Sequence, residues 1–330
     1  MERQNMGIRI ALAGNPNCGK TTMFNDLTGA NQYVGNWPGV TVEKKEGKYT
    51  RDKDVIITDL PGVYSLSPYS PEEIVTRDYL LEGGPDVVIN LVDATNLERN
   101  LYLTTQVLDL GLPVVVALNM MDLVRKNGDK IDVAKLSKRL GCPVVETSAL
   151  KGQGMDELIK TAVDAAKKKA APTPDLRFVA EVEGPIKQIS DLLGSRVPAS
   201  TARWYAIKLF EKDEKVLDSL ASKMKLPAEI QEAVTACEEE LDDDGESIIT
   251  NERYQYITSI IGSVVKKART GLTPSDRIDQ IVTNRILALP IFVVVMALVY
   301  AISMGSWTVS IGTKATDWAN DGLFGDGWFV

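Results

Sequence analysis

Near the amino terminus, Gly14-Asn15-Pro16-Asn17-Cys18-Gly19-Lys20-Thr21 carries the pattern GxxxxGK[ST]. It follows an apolar, strand-like run, Ile8 to Ala13, and opens a helical pattern. That is the context in which the pattern cradles phosphate. The glycines let backbone N–H groups curl around an anion, and the helix amino terminus adds partial positive charge. Lys20 is placed to reach the β- and γ-phosphates of a nucleotide. The Thr21 hydroxyl, with Thr22 beside it in the same nucleotide-binding segment, is placed to ligate magnesium.

Three further segments add to this chemistry. Asp59-Leu60-Pro61-Gly62 closes a strand-like run. Its carboxylate can hold magnesium through a water, and the Gly62 N–H can touch a γ-phosphate. Asn119-Met120-Met121-Asp122 follows the apolar run Pro113 to Leu118. In this NxxD pattern the carboxylate of Asp122 accepts from the guanine N1–H and 2-amino group, a donor pair that adenine lacks. Ser148-Ala149-Leu150 matches the loop whose backbone N–H reads guanine O6. Each of these three is weak alone; their order and separation behind a phosphate loop give them weight.

These residues need a scaffold that brings distant loops to one place. Strand-like runs at Ile8–Ala13, Thr41–Tyr49, Val55–Thr58, Asp86–Val92, Pro113–Leu118 and Pro143–Thr147 alternate with helical patterns. The helical patterns fall at Thr21–Thr28, Leu97–Leu110, Val133–Leu140 and Met155–Lys168. Such alternation predicts an α/β domain with a mostly parallel sheet over residues 1–170. The runs flanking Arg51-Asp52-Lys53 are too close for a crossover helix, so they predict one antiparallel strand. After the linker Ala170-Ala171-Pro172-Thr173-Pro174 the text turns helical, and residues 171–270 predict a small all-α domain. Trp204 to Phe210 reads as a core-facing helix, and Pro227 as a helix start. The acidic run Glu238 to Asp244 lacks the alternating ligands of a calcium loop and reads as a solvated helix end.

Composition sets limits. The 330 residues carry 37 Lys+Arg, 45 Asp+Glu and a net charge of −8, which argues against broad nucleic-acid binding. There is no histidine, which excludes a Ser-His triad and a His-ligated zinc. The three cysteines, Cys18, Cys142 and Cys237, have neither disulfide nor metal spacing. From Ile286 to Met304 there is no charge, and Lys266, Lys267, Arg269, Arg277 and Arg285 precede the run. This predicts a transmembrane helix over 286–306, entered from a juxtamembrane segment 271–285 on the cytoplasmic side. A buried helix is the alternative. Residues 307–330, with Phe324, Trp328 and Phe329, then read as an extracytoplasmic segment at the far interface.

Together the four motif segments resemble the small GTP-binding protein superfamily, from Ile8 to about Lys168. The resemblance implies a Ras-like phosphate-loop GTPase fold and GTP hydrolysis, with Lys20, Thr41 and Gly62 as catalytic groups. It also implies a loop between the first helix and second strand in which a Thr completes the magnesium shell. Thr41, in Gly39-Val40-Thr41-Val42, is the match; Thr28 and Thr50 are rivals. Val63 stands where many regulatory members carry a water-orienting Gln. Orientation and charge must then come from elsewhere, from an arginine supplied in trans or from a monovalent cation.

Asn15-Pro16-Asn17, Val34-Gly35-Asn36-Trp37-Pro38-Gly39-Val40-Thr41-Val42-Glu43 and Asp59 to Leu66 are similar to the FeoB-type ferrous-iron transporters. So are Ser275 to Asp279 and Asn284-Arg285 leading to Leu289-Pro290-Ile291-Phe292. The resemblance extends over nearly the whole chain. It implies a bacterial inner-membrane protein with cytoplasmic GTPase and GDP-dissociation-inhibitor-like helical domains and Fe2+ as the transported ion. It further implies magnesium, potassium-stimulated hydrolysis, self-association and small cytoplasmic accessory proteins. Asn17 matches the potassium ligand, sharing the ion with switch-loop carbonyls near Gly35 and Trp37; its alternative role is to stabilise the loop. Trp37 is either a switch lever or ordinary packing. A single membrane helix cannot enclose an ion path, so the chain is expected to be truncated. A membrane-anchored regulatory GTPase without transport is the alternative, and an RNA-modifying GTPase fits the charge and the apolar run less well.

Overall fold

The computed structural model describes residues 7–29, 32–67, 69–82, 84–175, 178–222, 224–268, 278, 281–284, 287–304 and 317–318. The chain divides into two units, 1–268 and 269–330.

The first unit is built on a seven-stranded sheet ordered β2-β3-β4-β1-β5-β6-β8. Its strands are β1 (Ile8–Gly14), β2 (Gln32–Asn36), β3 (Glu43–Lys48), β4 (Val55–Asp59), β5 (Val87–Asp93), β6 (Val114–Asn119) and β8 (Val144–Glu146). The central pairings are all parallel, and only β3 runs against its neighbours. The continuous apolar text of β5 and β6 follows from burial on both faces. β1 shows the alternation: Ile10 and Leu12 pack on one side of the sheet, Ala11 and Ala13 on the other. The Ile10 side holds Met23, Phe24 and Leu27 of α1 (Lys20–Thr28) and Leu158 and Ala162 of α6 (Met155–Lys168).

The opposite side is covered by α2 (Pro71–Leu81) and α3 (Leu97–Asp109), with α4 (Met121–Asn127) and α5 (Val133–Leu140) further along. α2 was not expected, although its start is written plainly. Ser70 Oγ accepts from the Glu73 N–H, the Glu73 carboxylate accepts from the Ser70 N–H, and Pro71 takes the first helical position. β2 is a second addition: residues 32–36, which the sequence reads as loop, pair antiparallel with β3 as an edge strand.

Five helices follow: α7 (Ala180–Leu193), α8 (Ala202–Phe210), α9 (Glu214–Ala221), α10 (Ala228–Leu241) and α11 (Gly245–Val264). Their core, including Val182, Leu193, Trp204, Phe210 and Ile257, is continuous with the α3 side of the sheet. At the seam the buried Arg253 gives Nη2 to Asp109 Oδ2 at 2.7 Å, and within the helices Arg203 of α8 holds Glu183 of α7 through two bonds of 2.9 and 2.7 Å. Inside α7, Pro185 removes the donor that would have reached the Glu181 carbonyl; the Cys237 thiol donates there instead, at 3.4 Å. The acidic run ends α10 and starts α11: Asp242 takes a left-handed conformation and Asp244 caps the Ser247 N–H at 2.9 Å. The chain then returns to the sheet domain, where β9 (Val265–Lys266) pairs antiparallel with β7 (Lys130–Ile131).

In the second unit, α12 (Ala288–Met304) has 17 residues. Asn284 Oδ1 accepts the Leu287 N–H at 3.2 Å just before it, and Pro290 sits in the first turn. Seventeen residues span about 25 Å at 1.5 Å rise, short of a ~30 Å hydrocarbon core. Among the described residues, no helix is long and apolar enough to cross a membrane. Of the expected span 286–306, residues 288–304 are described and are helical. Ile286, most of the expected juxtamembrane segment and Phe324, Trp328 and Phe329 lie outside the described residues.

Candidate functional site

Parallel strands point their carboxyl ends the same way, so loops that follow them share one edge of the sheet. Leu12 stands opposite Asp59 in the β1–β4 register, and Asp93 opposite Asn119 in the β5–β6 register. The loop 14–19, Asp59, Asn119–Asp122 and Ser148–Leu150 therefore meet at this edge.

The phosphate loop is shaped by two left-handed residues, Asn17 (φ 66°) and Gly19 (φ 94°). At Gly19 a side chain is excluded twice, because a Cβ would also lie 2.4 Å from Asn119 Nδ2. Asn tolerates the left-handed region better than most residues. The Asn17 side chain is exposed and makes no hydrogen bond to another described residue, so its oxygen is open to a ligand. Asn15 is buried, with Nδ2 donating to the Arg99 carbonyl at 3.2 Å and Oδ1 without a partner. Cys18 is also buried, and burial pushes its thiol up to about 11, which rules out a reactive thiolate at neutral pH.

Lys20 Nζ lies 2.7 Å from Asp59 Oδ1. Burial raises the Asp59 carboxyl above the ordinary aspartate range even though the Lys20 ammonium opposes that shift. The Asp59 carboxylate and the exposed Thr21 hydroxyl are hard oxygens of the kind that suit magnesium. Gly62 lies against the loop: a Cβ there would meet Pro16 Cα at 3.2 Å. The Leu60 N–H is taken by the Leu12 carbonyl, and the Leu60 side chain is in the core.

Asn119 acts as a joint. Its Nδ2 donates to the Cys18 carbonyl at 2.8 Å, while its Oδ1 accepts the Ala149 N–H at 2.9 Å and the Thr147 hydroxyl at 3.4 Å. One buried amide thus ties the phosphate loop to the Ser148 loop. Met120 is left-handed (φ 63°) and starts α4, and the Met121 side chain is buried. Asp122 Oδ1 accepts from Ser148 Oγ at 3.0 Å, and Lys151 Nζ stands 3.3 Å from Oδ2. These bonds, Ser148 first, hold the Asp122 carboxyl below its usual value, so it is an acceptor throughout the neutral range. Leu150 is exposed. Lys151 was missed by motif reading; it stands one position beyond the pattern.

Residues 37–42 form the tip of the β2–β3 hairpin. The Trp37 N–H donates to the Val42 carbonyl at 2.9 Å, and the Trp37 carbonyl accepts the Val40 N–H at 3.3 Å. Gly35 stands opposite Lys44 in the ladder. The carbonyls near Gly35 and Trp37 therefore belong to a hairpin, and a potassium shell drawing on them requires that hairpin to rearrange. Trp37 is buried edge-on against Tyr79 of α2, with ring centroids 5.1 Å apart. Thr41 is exposed, as are Gly39 and Thr22. Of its rivals, Thr28 is buried and bonded to the Phe24 carbonyl at 2.7 Å. Val63 is buried, its N–H on the Gly14 carbonyl at 3.3 Å, so nothing at that position can orient a water.

Comparison with known proteins agrees with this fold. A family model described as Ferrous iron transport protein B matches residues 8–162, and one described as FeoB cytosolic helical domain matches residues 178–266. The Fe(2+) transporter FeoB of Escherichia coli (strain K12) is 41% identical over 306 residues, covering 90% of this chain and 38% of that protein. An Fe(2+) transport protein A/Fe(2+) transporter FeoB fusion protein of Porphyromonas gingivalis is 40% identical over 97% of this chain and 39% of that protein. The chain thus spans about two fifths of the length of these relatives. Among solved structures, a GDP-bound variant of the S. thermophilus FeoB G-domain has a TM-score of 0.75 at 49% identity, covering 78% of this chain and 100% of that one. NFeoB from the same source, bound to GDP, AlF4- and K+, has a TM-score of 0.70 at 50% identity, covering 77% and 98%.

Proposed function

The chain belongs to the ferrous iron transport protein B family, and we propose that it binds and hydrolyses GTP at the edge of its sheet to control Fe2+ uptake through a membrane region. The observation that carries the site assignment is the Asn119 joint. It ties the phosphate loop, which leads into Lys20, to the Ser148 loop, whose Ser148 holds Asp122.

In this reading the amino end of α1 and Lys20 bind the β- and γ-phosphates, and Lys20 exchanges Asp59 for phosphate oxygen. Thr21, Thr41 and Asp59, the last through a water, would hold magnesium. Bound there, the ion would supply charge neutralisation on the phosphates. Gly62 N–H meets the γ-phosphate, and Asp122 accepts the guanine N1–H and 2-amino group while the Ala149 loop takes O6. Asn17 would hold potassium, whose charge would compensate for the buried Val63. A similar structure contains K+ with GDP and AlF4-, which supports this choice over an arginine supplied in trans.

The five-helix domain is the route by which the nucleotide cycle reaches the rest of the protein. α12 supports a membrane connection: it is apolar on every side, and Leu289, Phe292, Val294 and Tyr300 are all exposed. Inner-membrane placement, self-association and accessory proteins belong to the same proposal. The test is competition against a fluorescent GDP analogue. GTP and GDP should displace it and ATP should not, and Asp122→Asn should lose guanine and gain xanthine nucleotides. Equal displacement by ATP would remove the Asp122 assignment.

A further inference from the structure

The short ladder that closes the first unit sorts its side chains by face. Ile131 stands opposite Val265, and both, with Asp129 and Lys267, line a cavity of about 550 Å³. Side chains alternate across a ladder, so Lys130 and Lys266, also directly opposite each other, turn the other way. Both are exposed, and neither has a carboxylate partner among the described residues. Two ammonium groups placed across a ladder repel, which destabilises the pairing.

α5 adds to this charge. It lies along α11, with Lys135 Nζ donating to the Ser263 carbonyl at 3.1 Å and Arg139 Nη2 to Ser259 Oγ at 2.8 Å. Lys135 is therefore beside the entry to β9. Lys138, three residues on, shares its side of the helix and is also exposed. Arg139 is neutralised by Asp175 at 2.8 Å, whereas Lys135 and Lys138 have no carboxylate partner among the described residues. From Lys130 to Leu140 the one acid is Asp132, and its carboxylate is occupied in capping the Lys135 N–H at 2.9 Å. Four exposed lysines thus gather around one ladder in a chain whose net charge is −8. The carboxyl-end dipole of α5 favours Lys138, but Lys130 and Lys266 belong to no helix, and no contact within the chain offsets their repulsion.

Building on the membrane connection read from α12, we propose that Lys130, Lys135, Lys138 and Lys266 form a docking surface for the anionic headgroups of a lipid bilayer. Lipid phosphates supply the negative charge that the ladder lacks, so the repulsion between Lys130 and Lys266 becomes a shared attraction. Connectivity favours a bilayer over nucleic acid. Only residues 267–287 separate β9 from α12, a reach of at most ~75 Å, and α12 exposes Leu289, Phe292, Val294 and Tyr300. A basic face tethered that closely to an apolar helix meets headgroups at high effective concentration.

The experiment is lysine footprinting of the full chain in nanodiscs of phosphatidylcholine alone and of an equal mixture with phosphatidylglycerol. A water-soluble acylating reagent labels exposed amines, and mass spectrometry reads the rate at each lysine. Lys130, Lys135, Lys138 and Lys266 are expected to label ~5–10-fold more slowly in the mixed bilayer, and high salt to restore the rate. Lys53 of the β3–β4 turn and Lys215 of α9, both exposed, should label equally in the two. Lys130→Gln with Lys266→Gln should abolish the protection of Lys135 and Lys138 without lowering Tm, because it removes a repulsive pair. Equal rates in the two bilayers, protection that extends to Lys53 and Lys215, or protection that survives the double variant overturns the surface. Protection by polyuridine RNA in phosphatidylcholine discs, equal to that given by phosphatidylglycerol, assigns the face to nucleic acid and overturns the lipid assignment. A chain that enters neither bilayer overturns the α12 reading and the surface with it. A chain that enters both with no lysine protected overturns the surface alone.

Discussion

Asn119→Ala is the most informative single change at the site, because the side chain supports two loops without itself needing to touch a ligand. Its removal leaves the Cys18 carbonyl and the Ala149 N–H unpaired in residues that are 1% and 7% exposed. Each orphaned buried group costs about 1–3 kcal/mol, and water entering the vacated space recovers part of that, so we expect ~3 kcal/mol of lost stability. For a chain of this size the loss corresponds to a Tm lower by roughly 4–6 °C. With the loops no longer joined, GDP affinity should fall ~10–100-fold, or about 1.4–2.8 kcal/mol. Urea unfolding and titration of a fluorescent GDP analogue read the two quantities separately. Gly19→Ala gives an independent arm, since its Cβ would displace the same amide from 2.4 Å away at a φ of 94°. Should Asn119→Ala bind GDP like the wild type, or lose less than about 0.5 kcal/mol of stability, the joint has no energetic weight and the reasoning fails.

Other consequences can be checked with little effort. Hydrolysis should run faster in potassium than in sodium at equal ionic strength, and Asn17→Ala should abolish the difference; equal wild-type rates in the two salts would remove the cation site. Arg253→Ala should destabilise the chain by ~3–5 kcal/mol, because it strands the Asp109 carboxylate in a buried seam. Arg253→Met with Asp109→Leu should recover much of that in chemical unfolding, and a double variant no better than Arg253→Ala would argue that the pair is not the source of the loss.

The phosphate loop, β1, β5, β6 and the NxxD segment were legible because their meaning is local. A run of β-branched residues buried on both faces, or a glycine pattern before a helix, carries its signal within a few positions. What escaped depends on distant partners. β2 is an edge strand only because β3 lies beside it, and Gln32–Asn36 has no buried face to impose a period. β7 and β9 are two residues each and exist only as a pair. Lys151 reaches Asp122 through the turn of the Ser148 loop, a geometry no spacing rule encodes. α2 was a different kind of miss, since Ser70-Pro71-Glu72-Glu73 contains a complete capping box and a proline at the first turn.

The β7–β9 ladder also has a consequence for biosynthesis. Lys130 emerges from the ribosome long before Lys266, its partner. At 5–20 residues per second the separation is on the order of ten seconds, much longer than the microseconds a hairpin needs to close. Through that interval the strand after α4 has no mate, and the α3 side of the sheet lacks the helices that complete its core. The nascent sheet domain therefore waits with an apolar flank bare, and the arrival of α11 and β9 is the event that ends its exposure to aggregation and chaperone capture.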